Sequence, residues 1–216
     1  MMTEQLTEEP TGQPATDGRV RRGDRTRRTV LAAAVDVASI EGLDGLSIGR
    51  LATDLAISKS GLIAHFGTKE GLQLATIRAA RAIFVHTVIE PALQTPPGLA
   101  RVRRLLDAWL EYSSDRRFPG GCFFARASHE YAARPGEVRD ALAALDEEWL
   151  GLIAETIAGA QEVGEVVADL DPTQLAYELD AYLDSANLRS LLGRPGVYEQ
   201  AKRAVRDRLS SVAPRP

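Results

Sequence analysis

The sequence predicts an all-α protein of about nine helices, with two short helices near the N-terminus and longer ones in the rest of the chain. From Thr26 onward, apolar residues recur at steps of three and four, which is the period of a helix that packs one face against a core. Glycine and proline clusters separate these runs, and no stretch shows the strict alternation that is typical of a strand. A composition of 44% hydrophobic and 26% charged residues is that of an ordinary globular protein.

Residues 1–22 are predicted to form a disordered tail that ends in a basic arm. Proline and glycine punctuate this segment, and it has almost nothing apolar to bury. Six of the residues from 19 to 28 are arginines, opposed only by Asp24, although the whole chain has a formal net charge of −4. Such a run favours salt-dependent contact with a polyanion. The alternative is a solvated flank that keeps the protein soluble.

The first two helices are predicted from their apolar faces and their ends. The first begins near Thr26 and ends at Gly42, a residue suited to the last turn of a helix. Ser47 is suited to cap the second helix, because its hydroxyl can accept a hydrogen bond from a free N–H group of the first turn. The apolar face of this short helix is formed by Ile48, Leu51, Ala52 and Leu55.

A third helix, capped by Ser58 and ended by Gly67, has Leu62 and Phe66 on one face. The opposite face carries Lys59, Ser60, Ile63 and Ala64. These side chains let a helix approach bases closely, because lysine can bond guanine, serine several base edges, and small apolar groups the thymine methyl. Two short helices joined by a tight link, behind a packing helix, predict a helix-turn-helix DNA reader. The alternative is a plain surface helix.

The rest of the chain is predicted to form six longer helices. Thr68 caps the first of them, which runs to Pro91 and the proline-glycine cluster that follows. The other five cover about residues 99–115, 121–133, 137–161, 172–192 and 196–210. The clearest start signal is Asp171-Pro172, because it combines an aspartate cap with proline at the first helical position.

The sequence does not indicate catalysis, a metal site or a cofactor. Cys122 is the single cysteine, and the three histidines lie 21 and 43 residues apart, which is not a metal-ligand spacing. Neither a glycine-rich phosphate loop nor a nucleophile elbow occurs, and the adjacent Glu147 and Glu148 point in different directions on a helix. The acidic N-terminus does not resemble a signal peptide, and no run approaches 18 consecutive apolar residues. We therefore expect a cytoplasmic protein that is not an enzyme and has no membrane partner.

Several of these motifs together resemble the TetR family of transcriptional regulators. They are Leu46-Ser47-Ile48, Leu51-Ala52, the LAISKS run at residues 55–60, Leu62, His65-Phe66 and Lys69-Glu70-Gly71-Leu72. The resemblance covers about residues 25–72. The remaining two thirds of the chain resemble the family only in being a string of helices of suitable number and length.

The resemblance implies which residues contact DNA. Lys59, Ser60, Gly61 and Ala64 correspond to residues that face bases, and Ser47, His65 and Lys69 to residues that hold phosphates. The Thr68 cap adds free backbone N–H groups, and Arg25 and Arg28 extend the arm beside the reader. Ile63 departs from the family pattern, which usually has tyrosine there, so we expect an apolar contact with a sugar or methyl group. Ala56 replaces a common turn glycine, which we interpret as a mild departure.

The resemblance also implies a helix-turn-helix domain at residues 23–68 and a helical domain for ligand binding and dimerisation at residues 69–216. The candidate ligand-binding residues are the aromatic and isolated polar residues of the middle helices: Phe84, His86, Trp109, Tyr112, Phe123, Phe124, His129, Trp149 and Tyr177. The candidate dimer residues form apolar stripes on the last two helices: Leu175, Leu179, Tyr182, Ala186, Val197, Ala201, Val205 and Leu209. In both sets, the alternative is ordinary packing within one subunit.

The sequence thus predicts a homodimeric regulator that binds a pseudo-palindromic double-stranded DNA operator and responds to a small-molecule effector. Repression is the expected output. The alternative functions are a helical enzyme and a ligand-binding protein without a DNA function.

Overall fold

The computed structural model describes residues 16–214, with side chains from Gly23 onward. Within these residues there are nine helices and no strand. They are α1 Thr16–Glu41, α2 Ile48–Asp54, α3 Lys59–Phe66, α4 Lys69–Leu93, α5 Leu99–Ser114, α6 Phe123–Tyr131, α7 Glu137–Glu162, α8 Pro172–Leu191 and α9 Val197–Ser211. The prediction of an all-α fold with about nine helices is confirmed for this part of the chain.

Helix α1 begins at Thr16, ten residues before the start that the apolar pattern indicated. Residues 16–22 are therefore helical, whereas we had assigned them to a disordered tail. Arginine is a good helix former, and a helix that is already anchored by its apolar face extends at little cost through such residues. The remainder of the predicted tail, residues 1–15, lies outside the described residues.

The predicted helix caps are present at the short helices and at α4. The Ser58 hydroxyl accepts a hydrogen bond from the Gly61 N–H group at 3.1 Å, and the Thr68 hydroxyl accepts one from Gly71 at 3.0 Å. These bonds satisfy N–H groups that have no partner inside the helix. The caps therefore fix where the recognition helix α3 and the long helix α4 begin.

Proline 91 does not end α4. A wide π-helical turn, Val85–Ile89, lies directly before it, and the helix then continues to Leu93. Proline lacks an N–H group and crowds the carbonyl four residues earlier, so a local widening lets the helix pass it. By length and composition α4 could span a membrane, but here it packs against α1, α5 and α7.

Helix α5 lies at the centre of the helical body. It contacts α4, α7, α8 and α9, and its buried residues include Val102, Leu106, Trp109 and Leu110. The three N-terminal helices form a small N-terminal unit, in which α2 packs on α3 and on α1, and α4 packs on α1 and α3. Helix α6 connects the two parts, because it packs against both α1 and α7.

Ala56, in the turn between α2 and α3, adopts φ +52°, in the left-handed region. The departure from glycine is therefore costlier than we had expected, because a Cβ atom in this conformation is strained by about 1–2 kcal/mol. We expect Ala56→Gly to raise the free energy of unfolding by about 0.5–1 kcal/mol, since the greater freedom of unfolded glycine offsets part of the relief. Urea unfolding checks this.

The matched control is Ala82→Gly, at an exposed position inside α4. There the same substitution is expected to lower stability by about 1 kcal/mol, because glycine disfavours a helix interior. Equal losses of stability in Ala56→Gly and Ala82→Gly would show that the backbone of Ala56 is not strained.

Candidate nucleic-acid interface and cavity

The recognition helix α3 has the two faces that the sequence predicts. Leu62 and Phe66 are buried against the helical core. Lys59, Ser60, Ile63 and Ala64 are exposed, and the Ile63 side chain is 45% exposed although it is apolar. Lys59 forms no ion pair with any described residue. The exposed face therefore offers one unneutralised cation among small side chains, which suits a close approach to base edges.

Arg27 holds the end of α3 in place. Its guanidinium donates a hydrogen bond to the His65 carbonyl at 2.9 Å and lies 4.9 Å from the centre of the Phe66 ring. Gly23 in α1 also lies close to α3, since a Cβ atom there would lie 3.7 Å from His65 Cε1. The arginine-rich turn of α1 therefore lies beside the recognition helix. Arg27 itself positions that helix, a role that the sequence pattern does not distinguish from charge alone.

Lys69, one of the expected phosphate contacts, binds Asp44 in this structure. Its ammonium donates to the Asp44 carbonyl at 2.6 Å and to the carboxylate at 3.0 Å, and Arg134 lies 2.6 Å from the other carboxylate oxygen. The hydrogen bond from Arg134, followed by that from Lys69, lowers the pKa of Asp44. These groups are about half exposed, and exposed ion pairs contribute only about 0–1 kcal/mol. A phosphate can therefore compete for Lys69.

The remaining candidate DNA contacts also lie on or near this surface. Ser47 and Thr68 are exposed and cap α2 and α4. Arg25 and Arg28 are exposed on α1. Gly61 lies partly buried near the start of α3, where a Cβ atom would lie only 2.9 Å from the Ser58 hydroxyl. Most of the predicted set is thus exposed at the surface of this part of the chain.

A cavity of about 110 Å³ lies in the helical body among α4, α5, α6, α7 and α8. Of the nine candidate ligand-binding residues, five line it: Phe84, Trp109, Phe124, His129 and Trp149. Phe84 is central, since its ring centre lies 5.2 Å from that of Trp149 and 5.6 Å from that of Phe124, both nearly perpendicular. The cavity therefore has an aromatic wall built from four helices.

The other four candidates are not brought to the cavity. Tyr112 and Phe123 are buried in the core, and Tyr112 packs edge-on against Phe84. His86 is exposed on the surface and lies 2.9 Å from Glu90, one turn away. Tyr177 is 65% exposed on α8. An aromatic or polar residue in a helix does not by itself reveal which face it occupies, so the pattern could not separate these residues from the five.

Sequence reasoning missed the acidic lining of the cavity. Asp180 lies half-buried in the wall, where its carboxylate accepts a hydrogen bond from the Trp149 indole N–H at 2.7 Å. Asp146 and Asp184 lie at the more exposed mouth. Burial raises the pKa of Asp180 to about 6, and it also raises the pKa of Asp184. One available signal was the spacing of Asp180 from the apolar residues Ala176 and Leu183, which lie four residues before it and three after it and so share its side of α8.

Helix α6 joins the cavity to the N-terminal unit. Phe124, Ser128 and His129 face the cavity. The Glu130 carboxylate, one position later, accepts hydrogen bonds from the backbone N–H groups of Leu43 at 2.8 Å and Asp44 at 2.9 Å. We call this pair of bonds the Glu130 latch. It ties the turn between α1 and α2 to a helix that also lines the cavity.

Gly42 makes room for the latch. It adopts φ +85°, and a Cβ atom there would lie 2.2 Å from a Glu130 oxygen. A glycine that the sequence marked only as a helix end therefore also permits the close approach of two distant segments.

The candidate dimer residues are mostly part of the subunit core. Leu175, Leu179, Val205 and Leu209 are at most 3% exposed in the single chain and line no surface groove, so their side chains are used within the subunit. This corrects the sequence-based assignment, and the physical reason is that α8 and α9 use these stripes to pack on α5 and on each other. The other four border a shallow groove between α8 and α9: Tyr182, Ala186, Val197 and Ala201.

An exposed apolar face remains on α8, beside that groove. It consists of Tyr177, Leu188, Leu191 and Leu192, and the Leu188 and Leu192 side chains are 51% and 72% exposed. Tyr177 and Leu188 are eleven residues apart and so lie on one side of the helix. We call these four residues the α8 face. Clustered exposed leucines of this kind are typical of an interaction surface.

Comparisons with known proteins match both parts of the chain. The family model described as "Bacterial regulatory proteins, tetR family" matches residues 30–76, and the model described as "Tetracyclin repressor-like, C-terminal domain" matches residues 98–205. The transcriptional regulator AcuR of Cereibacter sphaeroides is 26% identical over 166 residues, which is 76% of this chain and 76% of AcuR.

Two solved structures show the same fold. A TetR transcriptional regulator from Chloroflexus aurantiacus has a TM-score of 0.78 at 23% identity, over 89% of this chain and 98% of that chain. A transcriptional regulator from Saccharomonospora viridis, solved in complex with choline, has a TM-score of 0.74 at 24% identity, over 89% of this chain and 100% of that chain.

Proposed function

The chain belongs to the TetR family of bacterial transcriptional regulators, and from this premise we propose that it is a homodimeric repressor that a small molecule releases from its operator. The observation that carries the proposal is the exposed face of α3, where Lys59 stands among small side chains at the surface while Leu62 and Phe66 anchor the helix. Lys59, Ser60, Gly61 and Ala64 are proposed to read bases in the major groove.

The phosphate contacts surround this reader. We propose Ser47, His65, Thr68 and Lys69 for this role, with Arg25 and Arg28 alongside on α1. We propose residues 23–68 as the DNA-binding domain, which supplies all of these except Lys69, and residues 69–216 as the regulatory domain. Contacts of this kind fix the position of the reader on the duplex and give binding its salt dependence.

The dimer is proposed to form through the α8 face. Two copies related by a two-fold axis would present two recognition helices to successive major grooves, about 34–36 Å apart or a multiple of that distance. The partner's side chains would enter the groove between α8 and α9, which small residues such as Ala186 and Ala201 keep open.

The effector is proposed to bind in the aromatic cavity. A regulator of the same fold, from Saccharomonospora viridis, was solved in complex with the small molecule choline. Helix α6 would transmit its binding, because Phe124 lines the cavity while the Glu130 latch holds the turn that precedes α2. A ligand that moves α6 would change the separation of the two readers, provided that it binds the two states with different affinities.

This assignment also proposes that the protein acts in the cytoplasm, where its DNA target lies, and that it performs no catalysis. The one cysteine supports this, because burial raises the pKa of the Cys122 thiol to about 11 and so keeps it protonated and unreactive.

The experiment that tests the proposal is the selection of genomic fragments by the purified protein, followed by titration of the retained operator. Lys59→Ala is expected to weaken operator binding about tenfold or more, because a lost base contact costs about 1–3 kcal/mol. Binding to random DNA should weaken less. The matched control is Lys202→Ala on α9, which is expected to leave both affinities unchanged.

Two outcomes would count against the DNA-binding function. One is that the wild-type protein retains no specific fragment, which would favour a ligand-binding protein without a DNA function. The other is that Lys59→Ala and Lys202→Ala bind the operator equally well.

A further inference from the structure

We propose that the cavity takes an organic cation, such as a quaternary ammonium or protonated amine with apolar substituents. The inference rests on the proposed ligand-responsive function and specifies the chemical class of the effector. It comes from the combination of an aromatic wall with three carboxylates, which no charge in the described structure neutralises by direct pairing.

The aromatic wall suits a cation that carries apolar groups. The cavity is lined by Phe84, Trp109, Phe124 and Trp149. The ring centre of Phe84 lies 5.2 Å from that of Trp149 and 5.6 Å from that of Phe124. The face of an aromatic ring attracts a positive charge, most strongly for tryptophan, and this attraction grows where water is excluded. The rings also bury the methyl or methylene groups that surround such a charge.

The carboxylates supply the opposite charge. Asp180, Asp146 and Asp184 line the cavity, and none of them forms an ion pair with a described lysine, arginine or histidine. Asp180 receives one hydrogen bond, from the Trp149 indole, which also fixes the ring against its neighbours. The second oxygen of Asp180 has no hydrogen-bond partner among the described residues. It is therefore available to a bound cation.

Arg81 does not reverse this charge balance. Its guanidinium binds the Glu148 carboxylate, with one hydrogen bond of 3.1 Å, so the two groups at this edge of the cavity neutralise each other. A small metal ion is also disfavoured, because no group of three His, Cys, Asp or Glu side chains in the described residues could hold one. An anionic effector would meet the carboxylates and be repelled.

The protonation of Asp180 agrees with this interpretation. Burial raises its pKa to about 6, which means that the free protein keeps an ionised carboxylate at neutral pH against the cost of desolvation. A carboxyl group in a cavity whose pKa is shifted by burial marks a candidate binding site.

Binding can be measured with three probes of similar shape. Choline carries the charge, 3,3-dimethyl-1-butanol replaces its nitrogen by carbon, and 3,3-dimethylbutanoate is an anion. Benzyltrimethylammonium adds an aromatic group. Tryptophan fluorescence of the full chain is expected to report binding of both cations at least tenfold tighter than of the neutral and anionic probes, a ratio that corresponds to about 1.4 kcal/mol. Equal or tighter binding of the neutral or anionic probe would overturn the proposal.

Asp180→Asn tests the role of the charge with little change of shape. We expect this variant to lose about tenfold or more in affinity for benzyltrimethylammonium, and to bind the neutral probe as the wild type does. The matched control is Asp169→Asn, at an exposed position in the loop before α8, which should bind all probes normally. Parallel losses for charged and neutral probes in Asp180→Asn would show a purely structural role and contradict the proposal.

The pH dependence is a second readout. Around Asp180 lie Asp184 on the same helix, Asp146 and Glu148 on α7, Arg81 on α4, His129 on α6 and Cys122 at the start of α6. A cation favours the ionised form of Asp180, so its affinity should rise about tenfold from pH 5 to pH 7, through the pKa of about 6, and then level off. The rise should vanish in Asp180→Asn. Its persistence there would contradict the role of Asp180.

Failure of this inference can be distinguished from failure of the proposed function. Specific operator binding by a protein that no cation binds would sustain the regulator and overturn the cationic effector. Tight cation binding by a protein that retains no operator would sustain the cation site and overturn the DNA-binding regulator.

Discussion

Leu188→Arg is expected to produce a monomer that binds its operator at least about a hundredfold more weakly than the wild type. Leu188 lies in the exposed apolar α8 face, and two-fold symmetry would place both copies of the new arginine in the same dry interface. Desolvating an unpaired charge there costs roughly 3–5 kcal/mol. Because a single recognition helix loses the avidity of two linked half-sites, operator affinity should fall with the dimer. Sedimentation and operator titration measure the two effects.

Leu93→Arg is the matched control. Leu93 is a comparably exposed leucine, 46% against 51%, but it lies at the end of α4, away from the α8 face. This variant should remain a dimer with normal operator affinity. A wild-type protein that sediments as a monomer, or a Leu188→Arg variant that stays dimeric, would exclude the α8 face as the interface. The two arginine substitutions add the same charge, so their difference isolates the position.

Glu130→Gln is expected to separate effector binding from operator release. The substitution replaces one acceptor oxygen by an NH2 group that must face a backbone N–H group, so at least one hydrogen bond of the Glu130 latch is lost. Hydrogen bonds to a charged group contribute about 1.5–3 kcal/mol each, and we expect a loss of stability of that order. The ratio of operator affinities without and with effector, typically about 5–150 in allosteric proteins, should fall toward one.

Effector affinity measured in the absence of DNA should change little, because Phe124 and the other cavity residues stay in place. Glu147→Gln on α7 provides a control in which an exposed glutamate loses its charge without losing such a bond. Gly42→Ala should reproduce the uncoupling, since its Cβ atom would displace the same carboxylate. An unchanged operator response in both Glu130→Gln and Gly42→Ala would rule out the latch as the connection.

The helices of this protein could be predicted largely from local sequence. Ser58 and Thr68 mark helix starts because their hydroxyls bond backbone groups only three residues away. The orientation of α3 followed from Leu62 and Phe66, which are four residues apart and so share a face. These interactions span a few residues, and their signal is therefore contained in a short window. The predicted start of α1 was ten residues too late, because a run of arginines contains no local signal that marks the end of a helix.

The candidate site was only partly predictable. Five aromatic and polar residues of the middle helices proved to line the cavity, but Asp180 did not stand out, since an aspartate on a helix normally faces solvent. The apolar stripe at Leu179 and Val205 was real, yet it packs inside the subunit, whereas the exposed Leu188 lies on the opposite side of α8 from Leu179. Apolar spacing identifies a face that will be buried. It does not say which neighbour buries it.

The sequence by itself therefore determined the helical class, the order of the helices and the DNA-reading motif, because capping and the 3.6-residue period act between near neighbours in the chain. Only the tertiary structure decided where Lys69, Glu130 and Asp180 act. Lys69 meets Asp44 across 25 positions, Glu130 meets Leu43 across 87, and Asp180 meets Trp149 across 31. Such contacts depend on how whole helices pack, and a helix can carry the same side chain toward solvent, a partner or a cavity with no change in its local pattern.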